Sequence, residues 1–561
     1  MRISGLLLLL FSFSTNAASN EAVYGKNGMV ASRSTLASAA GVEIMRLGGN
    51  AVDSAVATAF ALAVTYPSAG NLGGGGFAVI RFPNGKVVTL DHRERAPARS
   101  HRDMFLDKNG DVDNRLARNS LLSSGVPGSV DGLIEMLERH GTMPLKRVIA
   151  PAITLADKGF EIDWYMARHF ASVRSRMKPY PASLEKFSID GKPPKPGDIW
   201  RQPDLAKTLS RIAEYGRKGF YEGQTADLIV KEMERTGGII TREDLKKYRS
   251  VWREPVRGSY RGYDIWSMGP PSSGGILLIQ ILNMLEDHDL SASGWGSADT
   301  VHMIVEAERR AYADRAKHLG DPDFYAVPVE TLIEKAYAKS RFADVNRDQA
   351  SDSSEIYPGK IPSEESDETT HFSVMDKTGL MVALTTTLNS SYGNKIVVPG
   401  TGMLMNNEMD DFSAKPNTEN QFQLLGGEAN SIAPYKRMLS SMTPTIVTKD
   451  GEPFMVTGSP GGSTIITTIL QVILNVVDHQ MAIEDAVSFP RFHHQWKPNQ
   501  IMFERFAFSP DTIKALKAKG HRKLVEIDWG RGVGDANSIL FREGVMLGVK
   551  DPRTEGMAVG F

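Results

Sequence analysis

Thr369 stands where a polar stretch meets a patterned β-hairpin, and a cut between Glu368 and Thr369 makes it the first residue of a strand. An N-terminal threonine carries its own base, because a free α-amine with a pKa of about 7.7–8.0 can take the hydroxyl proton near neutral pH. Upstream, Asn346 to Glu368 is Ser-rich, acidic and nearly devoid of large apolar residues, which reads as an exposed linker. Downstream, the DKTG turn (Asp376 to Gly379) closes a hairpin. With Asp376 opposite Leu380, Thr369 falls opposite Thr387, give or take one position for a bulge, and directly opposed residues lie about 4.5–5.5 Å apart at Cα. Thr387 then brings a second hydroxyl to the nucleophile or its amine, and Asn389 projects from the same face. The same run also reads as β-forming threonines on a half-exposed strand, and spacing does not choose between the two.

Further groups carry potential chemistry. The GSPGG run (Gly458 to Gly462) leads into a helical pattern, Ser463 to Asp478, and offers unsatisfied backbone N–H groups to an oxyanion, or simply makes a tight turn. It lacks the GK[ST] ending of a phosphate-binding loop. NLGGGGF (Asn71 to Phe77) lacks the spacing of a dinucleotide fingerprint. Arg93 in LDHRERAP has the planar fork to clamp a carboxylate, or faces solvent as most arginines in charged turns do. Glu408, Asp410 and Asp411 crowd a short loop that suits an ammonium group, a metal or plain solvation. His493 and His494 are adjacent and lack a ligand-spaced partner, which favours a structural role.

The elements that must position these groups are partly visible. Thr35 to Gly70 reads as two small-residue-rich helices separated at Gly48-Gly49-Asn50. Hairpins are expected at Asn84-Gly85, at Asp450-Gly451 and near Glu543-Gly544. Between about Leu121 and Ala343 long helical patterns dominate, interrupted by the PPSSGG loop (Pro270 to Gly275). Antiparallel hairpins toward both ends, with helices between and after them, predict a mixed α+β globule in which helices cover a pair of packed antiparallel sheets.

Composition narrows the function. The 561 residues balance to a net charge of −1, leaving no electrostatic footprint for nucleic acid or an anionic membrane. There is no cysteine, so disulfides, thiolate metal sites and a cysteine nucleophile are excluded. The start, MRISGLLLLLFSFSTNAAS, has the basic residue, apolar run and small residues of a secretory signal peptide over residues 1–18, cut after Ala17 or Ala18. Its apolar run is well short of the roughly 20 residues needed to span a bilayer.

In chain order, NLGGGGF, DHRERAP, PPSSGG, ETTHFSV, TTTLNSSYG, NNEMDDFS, RMLSSMTPTIV, GSPGG and RFHHQW together resemble the γ-glutamyltranspeptidase family, a branch of the N-terminal nucleophile hydrolases. The resemblance covers essentially the whole mature chain. It implies the four-layer αββα fold, no cofactor, no metal and a precursor that cuts itself into a large subunit, 19–368, and a small subunit, 369–561, which stay together as a heterodimer. It further implies that Thr369 is the nucleophile of both the self-cut after Glu368 and γ-glutamyl transfer from glutathione-like donors to water or an amine. By the same resemblance Thr387 lies beside the amine, and Gly461 and Gly462 form the oxyanion hole. Arg93, Ser440 and Ser441 hold the donor's α-carboxylate, and Asn389, Glu408 and Asp411 hold its α-amine. Residues 414–427 match a lid, where Phe422 stands in a place relatives often give to tyrosine. Glu368 replaces an uncharged residue common in relatives, and the expected location is the periplasm or the outside of the cell.

Overall fold

Two helices built mostly of small residues set the first layer. Helix α1, Thr35–Arg46, starts at Ser34, whose side chain accepts from the Ala37 N–H. Helix α2, Ala51–Thr65, starts on a capping box between Asn50 and Asp53 and is buried along its whole length. The break falls at Gly48 to Asn50, as its composition predicts. The computed structural model describes residues 21–359, 370–415, 420–421, 423–424, 428–530 and 532–561. The leader therefore lies outside the described residues, as do Glu368, Thr369 and Phe422.

Two seven-stranded antiparallel sheets form the centre. In the first, the order is Met557–Gly560, Gly28–Ser32, Thr370–Asp376, Met381–Thr387, Gly75–Arg81, Val87–Asp91 and Val251–Arg253. In the second, it is Val23–Gly25, Val545–Val549, Ser538–Arg542, Glu452–Thr457, Thr445–Lys449, Tyr263–Ser267 and Val256–Tyr260. Side chains alternate across each strand with period two. Met29, Val79, Met375 and Ala383 of the first sheet thus meet Ile446, Val456, Ile539 and Met546 of the second. The opposite faces carry Val30, Ile80, Val374 and Val382 to α1 and α2. On the far side Val447, Met455 and Leu540 pack with helices α3 (Gly274–Leu285), α4 (Ala298–His318) and α5 (Thr464–Val477). The layers run helix, sheet, sheet, helix, as expected.

Two expectations need correction. The stretch in which helical patterns dominate also contains five strands, among them Val256–Tyr260 and Tyr263–Ser267, which pair across a turn with Arg261 at φ 48° and Gly262 at φ 85°. Their aromatic and branched residues fit a pleated surface better than a helix. The upstream linker is also partly tied down. The Trp496 indole N–H donates to the carbonyls of Ser353 (2.9 Å) and Ile356 (3.0 Å), and the Gly359 N–H donates to Asp314 (2.7 Å).

Candidate active site

The hairpin that begins at Thr370 pairs Thr370 with Thr386 and continues in register to Met375 with Met381. The Asp376 N–H donates to the Leu380 carbonyl at 3.1 Å, and Gly379 takes φ 83° in the turn. This is the register from which Thr387 was expected opposite position 369. Thr387 is fully buried at the end of its strand, opposite Gly75. Its hydroxyl oxygen accepts from the Asn389 N–H at 2.7 Å. Asn389 has φ 68°, a left-handed conformation that asparagine tolerates better than most residues. That bend turns its amide toward the Asn407 carbonyl, 2.9 Å away.

The glycines of NLGGGGF let backbones cross at the base of the hairpin. A Cβ on Gly74 would lie 1.9 Å from the Thr387 carbonyl oxygen. Asn71 holds the same crossing, donating to the Thr387 carbonyl at 2.7 Å and accepting from the Gly74 N–H at 2.9 Å. Neither role is visible in the sequence, because both depend on a strand some 300 residues away.

Arg93 follows the strand Val87–Asp91 and turns inward as its N–H donates to Asp91 (3.0 Å). Its guanidinium is completely buried and lies 2.5 Å from Glu408 on one terminal nitrogen and 2.5 Å from Asp411 on the other. Both acids come from the short 3-10 turn Glu408–Asp411. Arg93 also donates to the carbonyls of Met438 and Leu439, each at 3.3 Å, directly before Ser440 and Ser441. Arg93, expected to hold a carboxylate, and Glu408 and Asp411, expected to hold an ammonium, are therefore one cluster and pair with each other. Asp410 turns away to Arg118 at 3.1 Å.

Glu94 is a member of this cluster that sequence reading passed over, although it adjoins Arg93. It is buried, 3.6 Å from the Arg93 guanidinium, and its oxygens find no hydrogen bond among the described residues. Burial pushes its pKa up to about 8 against the pull of Arg93. Glu408 is likewise raised well above the carboxylate range by burial, with Arg93 opposing. Burial lowers the Arg93 pKa, but Glu408, Asp411 and Glu94 outweigh it and leave the net shift upward. One guanidinium facing three carboxyl groups leaves a proton held on the acids.

Ser440 and Ser441 are seated by the PPSSGG loop. The Ser273 N–H donates to the Ser440 carbonyl at 2.6 Å, and the Ser440 N–H donates to the Pro271 carbonyl at 2.8 Å. The GSPGG loop ends at α5, with Gly461 at φ 133° and Gly462 at φ 62°. Neither N–H of this pair donates to a described residue. The loop reaches the hairpin through Asn537, whose side chain donates to the His371 carbonyl at 3.3 Å while its N–H donates to the Gly458 carbonyl at 3.3 Å. Gln421, within the stretch expected to form a lid, donates to the Asn389 side chain at 3.0 Å.

Histidines serve the frame. His371 sits between the Thr385 and Ser373 hydroxyls, 3.0 Å from each, and burial lowers its pKa to about 3. His493 lies 2.9 Å from Thr467 and 2.9 Å from Gln495, the structural role expected of it. His302, Glu306 and His521 also converge. There the imidazoles share a 2.9 Å hydrogen bond, and Arg309 (3.2 Å) and Arg310 (2.7 Å) already engage Glu306. Two guanidiniums thus already pair with the Glu306 carboxylate.

Known proteins match this architecture. The family model described as Gamma-glutamyltranspeptidase matches residues 37–561. The chain is 49% identical over 534 residues to the glutathione hydrolase proenzyme of Escherichia coli (strain K12), covering 95% of this chain and 91% of that one. Among solved structures, cephalosporin acylase from Bacillus halodurans superposes with a TM-score of 0.88 at 30% identity, covering 99% of both chains. Helicobacter pylori gamma-glutamyltranspeptidase gives a TM-score of 0.58 at 48% identity, covering 62% of this chain and 97% of that one. With the helix–sheet–sheet–helix layering and the buried arginine–carboxylate cluster beside the hairpin, these matches mean that the chain belongs to the gamma-glutamyltranspeptidase family.

Proposed function

We propose that this protein is a self-processing γ-glutamyltransferase and glutathione hydrolase. The observation that carries the reading is the buried Arg93–Glu408–Asp411 cluster beside Thr387 and Asn389. It supplies matched charges for the zwitterionic end of a γ-glutamyl donor: the α-carboxylate pairs with Arg93 and the Ser440 and Ser441 hydroxyls, and the α-ammonium with Glu408, Asp411 and Asn389.

In the precursor the Thr369 hydroxyl attacks the Glu368 carbonyl, and the acyl group shifts from nitrogen to oxygen. This shift frees the Thr369 amine, and water then hydrolyses the ester, giving Glu368 a free carboxylate and Thr369 its hydroxyl back. The product is a large subunit, 19–368, held to a small subunit, 369–561. In turnover the amine takes the Thr369 hydroxyl proton as its oxygen attacks the donor's γ-carbonyl. The oxyanion is received by the Gly461 and Gly462 N–H groups, and the proton passes to the departing amine. The γ-glutamyl ester left on Thr369 is resolved by water or by an amino acid or peptide amine.

The leader supports export to the periplasm or the exterior, and among the described residues no helix is long and apolar enough to cross a membrane. An acylase for glutaryl side chains is the nearest rival, but glutaryl brings no ammonium for Glu408, Asp411 and Asn389. The deciding assay is release of aniline from a γ-glutamyl anilide, with and without a dipeptide acceptor, against release of glutarate from a glutaryl amide. Turnover of the glutaryl amide alone would overturn the reading. Thr369→Ala is expected to stay uncut and inactive, and a two-chain product from that variant would reassign the nucleophile.

A further inference from the structure

We infer that Arg315 is a positioning residue for the donor's α-carboxylate, acting through the Ser441 hydroxyl. It lies on α4 and is fully buried. One terminal nitrogen donates to Ser441 Oγ at 2.6 Å, and its Nε donates to Ser273 Oγ at 2.8 Å. A guanidinium has donors and no acceptor, so both hydroxyl oxygens are acceptors in these bonds and both hydroxyl protons must point elsewhere. The Ser273 proton goes to the Ser440 carbonyl at 2.8 Å. For the Ser441 proton, the alternative among the described residues is Ser273 Oγ at 3.5 Å, beyond the usual range of an O–H···O bond.

Arg315 thus turns the Ser441 O–H outward and polarises it, as a charge-assisted donor does. The inference rests on the reading that a donor α-carboxylate binds at Ser440 and Ser441; there the oriented hydroxyl meets it without first breaking an internal bond. Seating the serines does not need the arginine. Backbone bonds from Ser273 to Ser440 and from Ser440 to Pro271 already join the two loops, as does the Ser272 hydroxyl, 2.6 Å from the Met442 carbonyl. On the same helix face three residues earlier, the Tyr312 hydroxyl donates to the Ser463 carbonyl beside the oxyanion pair. Helix α4 therefore braces the carboxylate subsite and the oxyanion loop together.

The test compares a γ-glutamyl anilide with the same anilide whose α-carboxylate is converted to the neutral α-carboxamide. The readout is the ratio of the two kcat/KM values. Wild type is expected to favour the acid strongly. In Arg315→Met that ratio falls at least tenfold, chiefly through a raised KM for the acid, and Arg315→Lys restores part of it. Equal losses on both donors, leaving the ratio unchanged, would overturn the inference. If Arg315→Met does not fold, Ser273→Ala removes one anchor of the guanidinium and is expected to lower the ratio severalfold; an unchanged ratio there overturns the inference equally. A wild-type enzyme that does not distinguish the two donors overturns the donor reading itself, and the role of Arg315 with it.

Discussion

Arg93 and Glu408 meet at 2.5 Å with both side chains completely buried, and Asp411 takes the guanidinium's other nitrogen at the same distance. A zwitterionic donor can enter by exchanging partners, its carboxylate taking the arginine and its ammonium taking the acids. A ligand carrying one of those charges leaves the other half of the cluster unmatched.

Glu408→Ala leaves Arg93 paired with Asp411 but removes one acceptor proposed for the donor's ammonium, and a hydrogen bond to a charged group contributes about 1.5–3 kcal/mol. The variant is therefore expected to lower kcat/KM for a γ-glutamyl anilide by about 10- to 100-fold, at about 1.4 kcal/mol per tenfold. Steady-state kinetics check this, with thermal unfolding run alongside to separate lost binding from lost stability.

Glu94 predicts a pH dependence of stability. Its folded pKa, about 8, lies above its ordinary value of 4.5, so the folded state binds the proton more tightly than the unfolded chain. The resulting stabilisation is fully present below pH 4.5 and is lost as pH rises through about 8. Glu94→Gln mimics the neutral acid and cannot titrate. Its melting temperature is expected to fall less steeply than wild type between pH 5 and 9, and parallel curves would count against a protonated Glu94.

Gly74→Ala places a methyl group 1.9 Å from the Thr387 carbonyl, where the neighbour is backbone and cannot step aside. The strain is expected to cost about 3 kcal/mol and to shift the end of the hairpin. The variant should accumulate as uncut precursor on a denaturing gel, with a lowered melting temperature.

Gly461 has φ 133°, and its Cβ would lie 2.5 Å from Thr464 Oγ1. Gly461→Ala keeps the N–H but must rotate it away from the oxyanion position proposed for it. Loss of one such donor lowers kcat by about 100-fold or more. Rapid-quench measurement of the acylation step is expected to show the loss there, with donor binding little changed.

Much of the frame was legible along the chain. The hairpins at Asn84-Gly85, Asp376 to Gly379, Asp450-Gly451 and Glu543-Gly544 fold where expected, because turn chemistry is local and a period of two tells which side chains share a face. The strands within 251–267 were hidden among stronger helical patterns on either side: Val251–Arg253 and Tyr263–Ser267 take partners distant in sequence, Val87–Asp91 and Thr445–Lys449, while Val256–Tyr260 forms a short local hairpin with Tyr263–Ser267.

By itself the sequence determined the chemistry on offer: a threonine able to become an N-terminus, a fixed hairpin register, glycines at backbone crossings and charged groups of both signs. Tertiary structure decided how those groups behave. Only the fold pairs Arg93 with acids more than 300 residues away, seats Arg315 behind Ser441 and buries Glu94 deeply enough to raise its pKa. Desolvation and ion pairing arise from neighbours brought together in space, so residue type and spacing do not specify them.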